Sequence, residues 1–239
     1  MELRGKCSVV TGSTKGIGLS IARSLLQEGV NVVISSRHQK DVEERVCELE
    51  QQGRGHVIGR KCDVRDPEEV RQLIDYCVNE LGRIDVLVNN AGVGIFKSVE
   101  KMSVLEWKNV IRTNLDGVFF GCHFAIPEMR KNGGGFIVNI GSLAGKNAFP
   151  KGAAYNASKF GLTGFSEALM QEIRYDDIRV AYVMPGSVDT SFRGRSQQGV
   201  NSWKLSAEDV AEVVVQTIQR HPRSLTSRIE IRPSKPVQK

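Results

Sequence analysis

The sequence predicts an α/β fold: a doubly wound parallel sheet of about seven strands with helices on both faces. Three observations carry this expectation. Short runs rich in Val and Ile alternate with longer stretches of helical apolar spacing, the pattern of doubly buried strands joined by crossover helices. A glycine-rich turn stands directly between the first strand and the first helix. A chain of 239 residues can also bury a core on each side of such a sheet.

The strand candidates are residues 7–11, 30–35, 56–61, 84–88, 136–140, 179–183 and 228–231. Each is short and β-branched or apolar, with turn-forming residues close by. Helical patterns fill the gaps, beginning with an amphipathic stretch at 19–27 and including two long ones at 103–132 and 153–175. In the last of these, Phe160, Leu162, Phe165, Ala168, Leu169 and Ile173 supply the helical spacing. The run Asn132, Gly133, Gly134, Gly135 reads as a turn rather than a phosphate loop, because a strand follows it. Residues 232–239, rich in Pro and charge, read as an irregular tail. No repeat, low-complexity run or linker divides the chain, so residues 1–239 are expected to form a single domain.

Composition narrows the function classes. A net charge of +6 is a mild excess, and no basic stripe interleaved with aromatics points to nucleic acid. No stretch is long and apolar enough for a membrane, and residues 1–6 lack the apolar core of a signal peptide. The expectation is a cytoplasmic protein with no membrane partner. Cys7, Cys47, Cys62, Cys77 and Cys122 are scattered, with no Cys-x-x-Cys pair and no ligand spacing with His38, His56, His123 or His221. They read as buried free thiols, with neither a metal site nor a disulfide framework. Cys122 and His123 are adjacent on a helix, point in different directions, and lie on a segment that reads mainly as packing.

Two motifs carry chemistry. After the first strand come Gly12, Gly16 and Gly18, and then a helix. Gly12 permits a tight turn, Gly16 lets the backbone approach a pyrophosphate, and Gly18 allows close packing of helix on strand. The helix N-terminus supplies N–H groups for phosphates. A glycine turn without a ligand is the plainer alternative. Farther on, Tyr155 and Lys159 are four residues apart and project as neighbours from one helix face. A phenol, with an ordinary pKa of about 10, becomes a stronger acid beside a fixed cation. Taken alone, the pair equally fits a solvated helix face.

The glycine spacing is G-x-x-x-G-x-G. With Asn89, Asn90, Ala91 and Gly92 after an apolar strand, then Asn114, Ser142 and Tyr155-x-x-x-Lys159, the chain closely resembles the short-chain dehydrogenase/reductase family over essentially its whole length. The resemblance implies a Rossmann fold and a catalytic set of Asn114, Ser142, Tyr155 and Lys159. As hydride reaches a carbonyl carbon, charge grows on the oxygen, which needs a proton and donors already in place. Tyr155 would give the proton and Ser142 would hold the same oxygen. Lys159 would lower the Tyr155 pKa and bond the nicotinamide ribose. Asn114 would hold a water linking Lys159 to solvent.

The same resemblance implies a cofactor set. Gly12, Ser13, Thr14, Lys15, Gly16, Ile17 and Gly18 surround the phosphates, and Ser36 and Arg37 follow the second strand. Asp63 and Val64 hold the adenine, while Asn90, Ala91 and Gly92 line the ribose side. Pro185, Gly186, Val188 and Thr190 close over the nicotinamide, with Tyr155 and Lys159 beneath. An acidic residue at the end of the second strand would repel a 2′-phosphate, and this chain has Ser35, Ser36 and Arg37 there instead. Lys15 and Arg37 together imply NADP(H).

The implied reaction is NADPH-dependent reduction of a ketone, aldehyde or 3-oxoacyl carbonyl. The alternatives are an NAD(P)-linked dehydrogenase of a sugar alcohol or hydroxy acid, and a regulator that senses NADP(H) without turnover. Residues 190–205 are expected to cover the substrate, and Arg193, Arg195, Lys146 and Lys151 could meet an anionic acyl thioester. The segment Glu230, Ile231, Arg232, Pro233 departs from the glycine-rich ending of many 3-oxoacyl-carrier reductases, which argues against a housekeeping fatty-acid role. The resemblance also implies a homodimer or homotetramer built on the two long central helices.

Overall fold

The computed structural model describes residues 2–190, 192 and 203–236. Its strands are β1 (Cys7–Val10), β2 (Asn31–Ser36), β3 (Val57–Lys61), β4 (Val86–Asn89), β5 (Gly135–Ile140), β6 (Ile178–Pro185) and β7 (Arg228–Ile231). They form one sheet in the order β3-β2-β1-β4-β5-β6-β7, with every pairing parallel. All seven expected strands are present, with ends displaced by a residue or two.

The helices are α1 (Gly16–Gln27), α2 (Gln39–Glu50), α3 (Pro67–Leu81), α4 (Val104–Ile111), α5 (Gly117–Lys131), α6 (Ala153–Ile173) and α7 (Ala207–Gln219). On one face of the sheet, Ile21 and Leu25 of α1, Val42 and Leu49 of α2, and Val214 and Ile218 of α7 cluster with Val10, Val32, Ile34 and Val138. On the other, Leu73 and Ile74 of α3, Met129 of α5 and Leu162 of α6 cluster with Val9, Val33, Leu87 and Ile137. Val9 and Val10 thus enter opposite cores, which is why the strands are apolar at successive positions.

Two expectations need correction. The long helix at 103–132 is divided: α4 begins with a capping box between Ser103 and Glu106, and a π turn, Arg112–Asp116, separates it from α5. A π turn admits an extra residue without breaking the apolar pattern, so periodicity does not reveal it. Cys7, Cys62, Cys77 and Cys122 are buried, but Cys47 is exposed, because α2 buries only Val42 and Leu49. His123 is exposed and lies against the rings of Phe119 and Phe124, while its neighbour Cys122 packs inside, on a helix that mainly packs. Among the described residues no helix is long and apolar enough to cross a membrane.

Chain connectivity reverses at the centre of the sheet, where β1 pairs with β2 on one side and β4 on the other. The connections leaving β1 and β4 pass to opposite faces, which opens a crevice at the C-terminal ends of these strands.

Candidate active site

The crevice is built on the glycine turn. Gly12 has a φ of +61°, and a Cβ there would lie 2.9 Å from the Ala91 Cα. A Cβ on Gly18 would lie 2.3 Å from Asn90 Nδ2 and 2.4 Å from the Gly12 carbonyl oxygen. Gly18 therefore makes room for Asn90 and for the close approach of α1 to the chain leaving β1. Asn90 Nδ2 donates to the carbonyls of Thr11 and Gly12, both at 2.9 Å. In return, Thr11 Oγ1 accepts from the backbone N–H of Asn90 at 3.0 Å and of Ala91 at 3.1 Å. Lys15, the exposed N-cap of α1, forms no side-chain cap, so no capping side chain occupies the first N–H groups of that helix.

Other residues of this region serve the fold. The buried Ser13 hydroxyl donates to Val10 O at 2.6 Å and accepts from Ser35 N at 2.9 Å, so it ties β1 to β2 rather than facing a ligand. Thr14 is buried too. Asn89 donates to Asn139 Oδ1 at 2.9 Å, and Asn139 donates to Ser166 Oγ at 3.0 Å, a buried polar line through β4, β5 and α6.

Beyond β2, Ser36 Oγ bonds the His38 backbone and Arg37 is exposed. No carboxylate ends β2, yet one stands close by. Arg65 Nε donates to both Asp63 oxygens, at 2.9 and 3.1 Å. Hydrogen bonds from Arg65 hold the Asp63 carboxyl below the usual carboxylate range, and the Arg37 charge adds a smaller pull in the same direction. Arg65, which also donates to Asn109 Oδ1 at 2.8 Å, is the residue that neutralises this carboxylate.

The proton-handling groups converge where β5 ends. Ser142 caps a short 3₁₀ turn, Leu143–Gly145; its Oγ accepts from Ala144 N at 3.1 Å, leaving its own O–H to donate. Tyr155 lies on the first turn of α6 and Lys159 on the next. The buried Lys159 ammonium donates to Ile140 O at 2.8 Å and sits 5.9 Å from the centre of the Tyr155 ring. Burial pulls its pKa down to about 8, so it remains charged at neutral pH.

Asn114, fully buried in the π turn, accepts from Val93 N at 2.8 Å. It donates to Val93 O at 2.9 Å and to Ser158 Oγ at 3.0 Å. Ser158 Oγ in turn donates to Tyr155 O at 2.8 Å. These bonds make Asn114 a clamp between the loop after β4 and α6.

After β6, Gly186 N donates to Ile231 O at 2.8 Å. Val188 bridges to Leu205 through the backbone of its neighbours: Asp189 N donates to Leu205 O at 2.8 Å, and Leu205 N to Ser187 O at 3.0 Å. None of Val188's own backbone groups is used in that bridge. The Thr190 methyl lies 3.4 Å from where a Cβ on Gly16 would stand, so this turn reaches the glycine turn.

A family model described as short chain dehydrogenase matches residues 6–201. The chain belongs to the short-chain dehydrogenase family. Dehydrogenase/reductase SDR family member 4 of Oryctolagus cuniculus is 40% identical over 192 residues, covering 80% of this chain and 73% of that protein. A metagenomic short-chain oxidoreductase solved in complex with NADP is 33% identical with a TM-score of 0.86, over 99% of this chain and 100% of that one. An alcohol dehydrogenase from the archaeon Thermococcus sibiricus, complexed with 5-hydroxy-NADP, is 27% identical with a TM-score of 0.90, over 98% and 99% of the two chains. This short-chain dehydrogenase is therefore an oxidoreductase acting between CH–OH and C=O, with a nicotinamide cofactor. Its residues fit that group: a turn with no room for a Cβ, helix N–H groups without a capping side chain, and backbone groups of Val188 that the bridge to Leu205 does not use.

In this short-chain dehydrogenase the crevice also contains residues that no motif marks. The Phe96 and Phe192 ring centres lie 5.5 and 5.9 Å from that of Tyr155, and Phe149 lies 5.9 Å from Phe96. The one sequence signal was position, since each follows a central strand, β4, β5 or β6, at its C-terminal end. Of the cations expected to meet an anionic substrate, Lys146 instead pairs with Glu230 at 2.8 Å, Lys151 is exposed, and Arg193 and Arg195 lie outside the described residues.

Proposed function

We propose that this short-chain dehydrogenase is an NADPH-dependent carbonyl reductase with Tyr155 as its general acid. The observation that carries the reading is the buried Lys159 ammonium, anchored on Ile140 and 5.9 Å from the Tyr155 ring. A cation fixed there favours the phenolate that remains once the proton has left. Tyr155 gives its proton to the substrate oxygen as negative charge develops, and Ser142 donates a second hydrogen bond to that oxygen. Asn114 keeps α6 in register with the loop after β4; the water-relay role implied for it remains part of the proposal.

The cofactor, when bound, supplies the hydride. Gly12, Thr14, Gly16, Ile17 and Gly18 would line its phosphates, Asp63 and Val64 its adenine, and Asn90, Ala91 and Gly92 its ribose side. Pro185, Gly186, Val188 and Thr190 would cover the nicotinamide. Lys15 and Arg37 are exposed, as cations awaiting a 2′-phosphate must be, and Arg65 occupies the carboxylate that would repel it. The NADP complexes among the similar structures support this choice. The same reading takes the chain as one catalytic domain that pairs through the α5 and α6 faces bearing the exposed Phe119 and Phe160, which sedimentation tests.

The deciding experiment is Tyr155→Phe. NADPH oxidation with a ketone should fall by about 10²–10⁴-fold, the usual worth of a positioned proton donor, while NADPH binding measured by fluorescence persists. Undiminished turnover would overturn the reading.

A further inference from the structure

We propose that the substrate is an uncharged ketone bearing a ring, and that Phe96, Phe149 and Phe192 form the apolar wall that receives that ring beside Tyr155. This rests on the carbonyl-reductase reading above and names its substrate class. The three side chains come from three separate loops, after β4, β5 and β6, and gather at the one residue that handles the proton. Phe96 meets Tyr155 edge to face at 66°, and Phe192 is tilted against it at 57°. A Cβ on Gly94 would lie 2.8 Å from both Phe96 Cζ and Phe192 Cε1, so the two rings rest together on bare backbone at that point.

Core packing does not account for this cluster. Phe96 and Phe149 are half-buried, Phe192 is 43% exposed, and none belongs to either core of the sheet. Apolar rings gathered at a proton donor favour a ligand that adds a ring to them, because ring pairs gain both buried area and edge-to-face contact. Two of the nearby cations are already matched, while Lys151 is exposed. Lys97 pairs with Glu106 and Lys146 with Glu230, so among the described residues these cations are not waiting for an anionic carrier. Bringing a phosphate-bearing thioester against such an apolar wall would cost part of its hydration.

The test compares kcat/KM at saturating NADPH for acetophenone, 2,3-butanedione and acetoacetyl-coenzyme A. Acetophenone should lead the other two by at least about tenfold, the worth of one or two aromatic contacts. In Phe96→Ala and Phe149→Ala, the ratio of acetophenone to butanedione should fall by about tenfold. Phe96→Leu keeps most of the volume but loses the ring, and should lower the ratio in a variant that folds. Ligand-observed NMR of acetophenone should weaken in the same order, independently of turnover. A preference for acetoacetyl-coenzyme A, or an unchanged ratio in the variants, would overturn the ring wall while leaving the reductase intact. If none of the three carbonyls shows Tyr155-dependent turnover, the reductase reading falls. The ketone assignment falls with it, and the acetophenone NMR signal then tests only whether Phe96 receives a ring.

Discussion

Replacing Lys159 with Met should abolish turnover and yet stabilise the cofactor-free protein. The magnitude follows from the burial of the ammonium. Its pKa stands at about 8, against about 10.4 for an ordinary lysine, and each unit is about 1.4 kcal/mol, so holding the charge inside costs about 3 kcal/mol at pH 7. Against this, Met leaves Ile140 O without the donor now 2.8 Å away, a loss of about 1–3 kcal/mol. Met fills similar space with apolar atoms, so a net gain of about 1 kcal/mol is expected from urea unfolding at pH 7. The pH dependence is more diagnostic than the gain. Folded Lys159 sheds its proton near pH 8 while the unfolded chain keeps its own to about pH 10.4. Across that window the unfolded state binds more protons and wild-type stability rises through this group. The variant lacks the group, so its advantage should shrink by up to about 1.4 kcal/mol per pH unit and then reverse. Burial raises the Cys62 and Cys122 thiols to about 12, but both proteins share them and they cancel in the difference. A variant less stable at pH 7, with a difference flat from pH 7 to about 10, would refute the reasoning.

Other outcomes follow from the same geometry. Arg37→Asp should lower the preference for NADPH over NADH by about 10–100-fold, the worth of a charge-assisted bond, and KM values for both cofactors measure it. Gly18→Ala would force a methyl within 2.3 Å of Asn90 Nδ2, so the Tm and the NADPH affinity should fall together, with about 1–3 kcal/mol lost. In the native protein an aromatic disulfide reagent should titrate one thiol at once, the exposed Cys47. Cys7, Cys62, Cys77 and Cys122 are buried, with pKa values raised by burial, and should react only on unfolding.

Much of this was legible in the sequence for definite physical reasons. Strands buried on both faces must be apolar at successive positions, so β1 to β7 stood out as runs. Tyr155 and Lys159 were legible because helical spacing fixes their neighbourhood, and Gly12 because its conformation and its contact with Ala91 exclude a side chain. Residues defined by distant partners were not legible. Ser13 belongs to a ligand-binding motif but spends its hydroxyl on Val10 and Ser35, a matter of sheet pairing. Asn114 was placed inside a helix, and only the π turn shows how its amide meets Val93 and Ser158. Arg65 and the three phenylalanines carry no motif, since their meaning lies in Asp63 and Tyr155, which the fold brings to them.

The seam between β1 and β4 has a consequence for how the chain assembles. β1, β2 and β3 can pair as soon as the first of the polypeptide is made, through the short crossovers α1 and α2. The other edge of β1 must wait for Val86, Leu87 and Val88, which dock only after α3 has been synthesised. Until then β1 presents an open row of backbone donors and acceptors, the kind of edge on which chains associate wrongly. Asn90, arriving just behind β4, closes that row and shapes the glycine turn with the same bonds to Thr11 and Gly12. A nascent chain therefore acquires its dinucleotide crevice at the moment it loses its most adhesive edge, and a defect at this seam should appear first as aggregation during synthesis.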